Sequence, residues 1–268
     1  ISIDQTSSEY KNSHQEGNTL GASSNLEAGS DISLKSNNIF ISGASLKAGG
    51  DINLNANNNI DIKASKEEYI FDLKGKDTAF KGGVVYNTGS KLKANNINAN
   101  AKDINLIAAN LDASSDININ AQDNINIQSI NDRTDLEATI TTKGFLSKKQ
   151  TNTKNIKEGV IYSNLRAANI NLVSKEDTVI SGSNLLANDI KIDANNININ
   201  PFAYESLEYS QTNKKGFGGF KRSLDIHSLA KLSLAGSSLT TTSGNISLNA
   251  NNDISIVSSN INSASNLN

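Results

Sequence analysis

Two histidines and a recurring set of aspartates are the side chains of this 268-residue chain best suited to acid–base chemistry. Neither His14 nor His227 has a serine or cysteine nucleophile at a telling spacing, and the sequence contains no cysteine. Because a catalytic base needs an oriented partner, we interpret both as solvated loop histidines. The absence of cysteine also excludes a disulfide scaffold, cysteine-ligated zinc and thiol catalysis.

Five aspartates occupy one repeated position, immediately before an apolar isoleucine: Asp31, Asp51, Asp103, Asp116 and Asp253. A residue that recurs in this way is typical of a turn, whereas a catalytic carboxylate would break the pattern. Asp61 and Asp193 lie outside that position and are expected to face solvent. No pair of acids converges with an arginine or lysine, so the sequence predicts no catalytic residue, no cofactor and no enzyme activity.

A calcium-binding nonapeptide repeat would require G-G-x-G-x-D, and only AGGDI at 48–52 approaches it. We therefore predict no metal site. The formal net charge of −2, from 25 basic and 27 acidic side chains, argues against a nucleic-acid partner, which would favour a basic excess.

Lysine pairs beside phenylalanines are the best candidates for a binding surface. The candidate contact residues are Phe145, Lys148, Lys149, Lys214, Lys215, Phe217 and Phe220. The ammonium groups suit phosphates of lipopolysaccharide or lipid headgroups, and the rings suit apolar wedges. The alternative is that the lysines are solvated hairpin tips and that the rings pack back onto the rest of the protein.

An internal repeat of about 20 residues organises the chain. Residues 26–45, LEAGSDISLKSNNIFISGAS, align with residues 46–65, LKAGGDINLNANNNIDIKAS, and about seven copies can be traced. Within a copy, Ile or Leu alternates with polar residues, which predicts half-buried strands. Each unit best matches the unit one period later, so we predict an all-β fold, a right-handed parallel β-helix with one coil per repeat. The 42 asparagines are expected to form stacked amide ladders.

The coils are interrupted about every 70 residues by segments with their own alternating pattern and most of the aromatic residues. We predict that these segments are β-hairpins leaving the helix, with the Lys-Gly-Phe sequences near their tips. The predicted hairpins cover residues 4–24, 66–90, 130–164 and 200–238. The predicted coil pairs cover residues 26–65, 92–129, 165–199 and 239–268, within a single domain of residues 1–268.

The coil AGGDINLNANNNIDIKAS, together with the excursion SQTNKKGFGGF, resembles the repeat region of filamentous haemagglutinin-type exoproteins, which include effectors of contact-dependent growth inhibition. The resemblance implies a segment of a larger protein on the surface of, or secreted by, a Gram-negative bacterium. Export would use the outer-membrane transporter of a two-partner system, through an amino-terminal region absent from this sequence. The implied partners are the outer membrane, a surface receptor or a glycan of a target cell.

Three functions remain open at the level of the sequence. The first is adhesion, or delivery of a toxin to a neighbouring cell, through contact with the target surface. The second is a carbohydrate-active β-helix enzyme, which would need a groove lined by acids with an arginine or lysine. The third is a passive structural spacer.

Overall fold

A computed structural model describes residues 1–12 and 14–268. Within this part of the chain, almost all regular structure is β-strand, and the only helical segment is one 3-10 turn, η1, at Phe217–Gly219. The predicted all-β class is confirmed.

The first strands are β1 (Ser2–Asp4), β2 (Ser7–Lys11), β3 (Gln15–Leu20), β4 (Asn25–Ala28), β5 (Ile32–Ser42), β6 (Ser45–Ala48), β7 (Ile52–Lys63), β8 (Ser65–Lys74) and β9 (Thr78–Thr88). Next come β10 (Lys91–Ala94), β11 (Ile97–Ala101), β12 (Asp103–Ile107), β13 (Asn110–Ala113), β14 (Asp116–Ala121), β15 (Ile125–Gln128), β16 (Ile130–Gly144), β17 (Ser147–Ile161) and β18 (Asn164–Arg166). The last are β19 (Asn169–Ser174), β20 (Asp177–Ser181), β21 (Asn184–Ala187), β22 (Asp189–Asn200), β23 (Phe202–Gly216), β24 (Lys221–Ala235), β25 (Ser238–Thr241), β26 (Ile246–Ile256) and β27 (Asn260–Asn262).

Eight short strands form one parallel sheet in the order β4, β6, β10, β13, β18, β21, β25, β27. The first leucine of each repeat lies directly beside that of the next, as Leu46 does between Leu26 and Leu92. The same column contains Leu111, Leu165, Leu185, Leu239 and Ile261. Each repeat therefore adds one strand to this sheet in constant register.

The second parallel sheet has eleven strands and contains a closed ring that the sequence did not predict. The first half of β7 pairs with β11 and its second half with β12. Strand β22 divides its pairing between β19 and β20 in the same way. The ring consists of β7, β11, β14, β19, β22, β20, β15 and β12. It closes because each of these two long strands continues through an Ala-Asn-Asn sequence and so pairs with two shorter strands.

The two parallel sheets, called the parallel core below, enclose a continuous column of isoleucine and leucine. Ile97 pairs with Ile52 on one side and Ile117 on the other, and all three are fully buried. The column extends through Ile170, Ile190 and Ile246. Burying each such side chain contributes roughly 1.5–3 kcal/mol, so the column is the main source of stability.

Asparagine ladders run along the outside of the parallel core, as predicted. The Asn98 amide donates to Asn53 Oδ1 at 2.9 Å, and the Asn118 amide donates to Asn98 Oδ1 at 3.0 Å. The next rung is Asn171, whose amide donates to Asn118 Oδ1 at 2.9 Å. Each inner rung both donates and accepts, so the ladder joins neighbouring repeats side chain to side chain.

Four antiparallel hairpins leave the parallel core: β2–β3, β8–β9, β16–β17 and β23–β24. They also pair with each other, through β3–β8, β9–β16 and β17–β23, and so form one eight-stranded antiparallel sheet. We call it the hairpin sheet. Its continuity was not predicted from the sequence, which indicated only separate hairpins.

A match of spacings explains why the hairpins join. They leave at every second passage from the eleven-stranded sheet to the eight-stranded sheet, and the other passages in that direction are direct turns. The direct turns contain the positive-φ residues Gly43, Ala108, Gly182 and Ser258. Two stacked repeats advance about 9.6 Å, and two paired strands are also about 9.6 Å wide. The first strand of each hairpin therefore lies beside the edge strand of the preceding hairpin and pairs with it.

Candidate functional site: the hairpin tips

The turn between β16 and β17 projects a phenylalanine into solvent. It contains Phe145 and Leu146, and Leu146 adopts a left-handed backbone with φ of 61°. The Phe145 side chain is 96% exposed. The alternative that this ring packs back onto the protein is therefore wrong.

The turn between β23 and β24 presents two more rings. Phe217 begins the 3-10 turn at φ of 50°, and it is followed by Gly218 and Gly219, both with positive φ. Glycine adopts these angles without steric cost, which permits the tight reversal. Phe217 is 76% exposed and Phe220 is 98% exposed.

The hairpin sheet brings these two tips together. Strand β17 pairs with β23, so Lys148 lies opposite Lys215 and Lys149 opposite Lys214. The backbone N–H of Gly218 donates to the carbonyl of Leu146 at 3.3 Å, which links one turn directly to the other. All seven predicted contact residues therefore lie at one end of the hairpin sheet.

The structure also divides the predicted lysines between the two faces of the hairpin sheet. Paired residues on neighbouring strands point to the same face, and successive residues point to opposite faces. Lys148 and Lys215 share one face, and Lys149 and Lys214 share the other.

Two further cations extend the first pair into a row. Lys143 on β16 lies opposite Lys148, and Arg222 on β24 lies opposite Lys215. The cation row is defined as Lys143, Lys148, Lys215 and Arg222. Sequence reasoning missed Lys143 and Arg222, because the row becomes visible only when the register between β17 and β23 is known.

Acidic partners are scarce around the cation row. Lys143 forms an ion pair with Asp77, but among the described residues no carboxylate lies within ion-pair distance of Lys148, Lys215 or Arg222. An open recess of about 520 Å³ adjoins the row and is lined by Gln150, Asn213, Lys214, Lys215, Arg222, Ser223 and Leu224. The recess therefore combines positive charge with amide donors and acceptors.

On the face of the hairpin sheet that carries the cation row, basic side chains closer to the parallel core are paired with acidic ones. Arg133 Nη1 donates to Glu205 Oε1 at 2.8 Å and to Glu158 Oε1 at 2.7 Å, and these contacts raise the pKa of Arg133. Lys154 Nζ donates to Glu137 Oε1 at 2.7 Å, which lowers the pKa of Glu137. The excess of positive charge is thus a property of the tips.

Four of the five aspartates predicted as turn formers accept hydrogen bonds from a neighbouring repeat, although Asp103 and Asp116 do so from strands and not from turns. Asp31 Oδ1 accepts the backbone N–H of Asp51 at 2.8 Å, and Asp51 Oδ1 accepts the Asn96 amide at 2.9 Å. The expectation that Asp61 faces solvent is wrong. Asp61 is buried. Its carboxylate is satisfied there, because the Asn105 amide donates to Oδ1 at 2.8 Å and Lys63 Nζ lies 3.1 Å from the same oxygen.

Neither histidine joins a cluster that resembles a metal site. His227 is exposed, as predicted, but it lies on strand β24 and not in a loop, and His14 is also exposed. Within residues 1–12 and 14–268, no group of three or more His, Asp or Glu side chains is arranged to hold a metal ion.

The model of the hemagglutinin repeat family matches three overlapping stretches, residues 4–78, 72–144 and 134–215. Together they span most of the chain. The chain belongs to the hemagglutinin repeat family. Searches of curated proteins and of solved structures returned no match.

The bounds of the hemagglutinin repeat matches show which strands one repeat contributes to the structure. The second match runs from the last residues of β8, through β9 and two repeats of the parallel core, to the last residue of β16. The third match ends in β23 after the same succession of elements. One hemagglutinin repeat thus supplies two layers of the parallel core and at least one strand to each of two neighbouring hairpins.

Repeats of this family belong to secreted and surface exoproteins, and the chain is an adhesin-like repeat segment of that kind. No helix among the described residues is long and apolar enough to span a membrane.

Proposed function

We propose that this chain is a non-enzymatic segment of a secreted bacterial surface exoprotein that contacts the surface of a target cell through its hairpin tips. The contact would serve adhesion, or delivery of a toxin to a neighbouring cell as in contact-dependent growth inhibition. The observation that carries the proposal is that the largely exposed rings of Phe145, Phe217 and Phe220 lie together at one end of the hairpin sheet. Isolated apolar residues on a surface are common, but three large rings on adjacent tips are typical of a binding surface.

The parallel core is, in this proposal, a right-handed parallel β-helix that holds the tips away from its axis within a single domain. Two features support it. Strands pair in parallel with the strand one repeat later, at constant register across seven pairings of the first sheet. Crossover connections between parallel strands of one sheet are right-handed in nearly all proteins.

The proposed parent protein is exported by a two-partner system of a Gram-negative bacterium. A solenoid suits that route, because its stability is a sum of contacts between neighbouring repeats and folding can propagate along the axis as the chain emerges. The proposed partners are the outer membrane, a surface receptor or a glycan of the target cell.

The test is binding of the purified chain to intact Gram-negative cells and to isolated outer membranes. We expect saturable binding that is lost in the triple variant F145S/F217S/F220S. The control is Phe40→Ser, which removes an exposed ring from β5 of the parallel core and is expected to leave binding unchanged. Absence of binding by the unmodified chain would overturn the proposal and favour a passive spacer.

A further inference from the structure

We propose that the cation row binds an extended acidic polysaccharide on one face of the hairpin sheet. This inference deepens the proposed function, because it names the chemical class that the tip region recognises on a cell surface. The ligand that fits is a linear chain of sugars with carboxylate or sulfate groups, lying across the strands.

The spacing of the cation row suits a linear polyanion. Lys143, Lys148, Lys215 and Arg222 occupy directly paired positions on the four consecutive strands β16, β17, β23 and β24. Neighbouring strands lie about 4.8 Å apart, so the four cations extend over about 14 Å in a nearly straight line. An extended ligand crosses all four, whereas a single small anion meets two of them.

The cation row works against the stability of the sheet that carries it. Like charges at directly opposed positions of neighbouring strands are destabilising. Three of the four row members have no acidic partner among the described residues, in contrast to Arg133 and Lys154 on the same face. A local arrangement that opposes the fold is typical of a functional site, and a bound polyanion would remove the repulsion.

The neighbouring side chains favour a sugar chain over a lipid surface. Gln150 and Asn213 are paired with each other one step from the row and line the recess beside it. The next pair toward the parallel core, Asn152 and Gln211, is also made of amides. Amides both donate and accept, so two rows of them offer directional hydrogen bonds to hydroxyl groups. A bilayer interface would be better matched by apolar residues on all four strands, whereas at this level only β24 contributes them, Leu224 among them.

The chain contains a matched control for this proposal. K148Q/K215Q and K149Q/K157Q remove the same charge from exposed positions of the hairpin sheet, the first from the face of the cation row and the second from the opposite face. We expect K148Q/K215Q to weaken binding of the full chain to alginate, a polyuronate, by about tenfold at 0.15 M salt. K149Q/K157Q is expected to change it by less than about threefold, because both side chains point to the opposite face and neither lines the recess.

Thermal unfolding and competition measurements distinguish loss of the binding site from misfolding and from non-specific binding. K148Q/K215Q removes a repulsive pair, so its unfolding temperature should equal or exceed that of the unmodified chain, which excludes misfolding as the cause of lost binding. Dextran sulfate should compete with alginate and uncharged dextran should not. Equal losses in both double variants, binding of uncharged dextran, or tighter binding to vesicles of anionic phospholipid than to alginate would each overturn the inference.

The two proposals fail separately. If F145S/F217S/F220S abolishes cell binding while K148Q/K215Q leaves alginate binding intact, the acidic polysaccharide is wrong and the tip contact stands. If the chain binds alginate through the cation row but binds no cells, the polysaccharide site stands and the proposed function is wrong.

Discussion

Among single residues, the clearest feature that the repeat pattern did not predict is a column of buried serines. Ser90, Ser163, Ser183 and Ser237 each lie two positions before the first leucine of a repeat, and all are buried. Ser163 Oγ donates to the carbonyl of Gln128 at 2.7 Å and accepts the N–H of Ala109 at 3.1 Å. The hydroxyl thus satisfies backbone groups at the corner where the chain passes between the two parallel sheets.

The serine column gives a prediction at the same scale. Ser163→Ala leaves the carbonyl of Gln128 and the N–H of Ala109 without this partner, so we expect the free energy of unfolding to fall by about 1–3 kcal/mol. Urea denaturation measures the change. Ser147→Ala, at an exposed position beside the tip turn, is the control and is expected to have little effect. An equal and small effect of both substitutions would show that the buried hydroxyl is not needed.

At the scale of elements, the hairpin sheet depends on ion pairs between long exposed strands. The pair between Glu137 and Lys154 joins β16 to β17. Hydrogen bonding to Lys154 lowers the pKa of Glu137 below its ordinary value of 4.5. The stabilisation is therefore complete above about pH 4.5 and is lost as the pH falls through the lowered pKa of the folded state.

We therefore expect the urea midpoint of the unmodified chain to fall toward that of Glu137→Gln as the pH is reduced from 7 to 3. Glu208→Gln, which alters an exposed carboxylate on β23, serves as the control and should leave the urea midpoint at pH 7 unchanged. Midpoints of the unmodified chain and Glu137→Gln that remain parallel over this range would contradict the role of the ion pair.

The sequence indicated the elements better than it indicated how they pair. Alternating Ile and Leu in each repeat predicted the strands of the parallel core, since identical units bury their apolar faces only by stacking. The Gly144-Phe145 and Gly216-Phe217 sequences likewise marked the two tips. The hairpin sheet and the cation row escaped prediction because Lys148 and Lys215 belong to different hairpins. Their pairing depends on the axial spacing between hairpins, which is two stacked repeats. A local sequence pattern does not contain this distance.

In the whole molecule, the proposed binding surface depends on one continuous sheet made of separate hairpins. Without the pairing of β17 with β23, the two tips would be independent, and neither the cluster of rings nor the cation row would exist. The parallel core spaces the hairpins evenly along its axis. Pairing between the hairpins then forms a surface that spans neighbouring repeats. The shared hairpin strands of successive hemagglutinin repeats are the structural basis of that surface.

Disulfide trapping of β17 against β23 tests this pairing most directly, because the chain has no cysteine of its own. Thr151 and Thr212 are paired residues whose hydroxyl oxygens lie 3.3 Å apart. We predict that T151C/T212C forms an intramolecular disulfide under mild oxidation, since directly opposed Cβ atoms lie within bridging distance. The control T153C/T212C is displaced by two residues and should remain reduced. Failure of T151C/T212C to close, closure only between molecules, or equal closure of both pairs would contradict the continuous sheet.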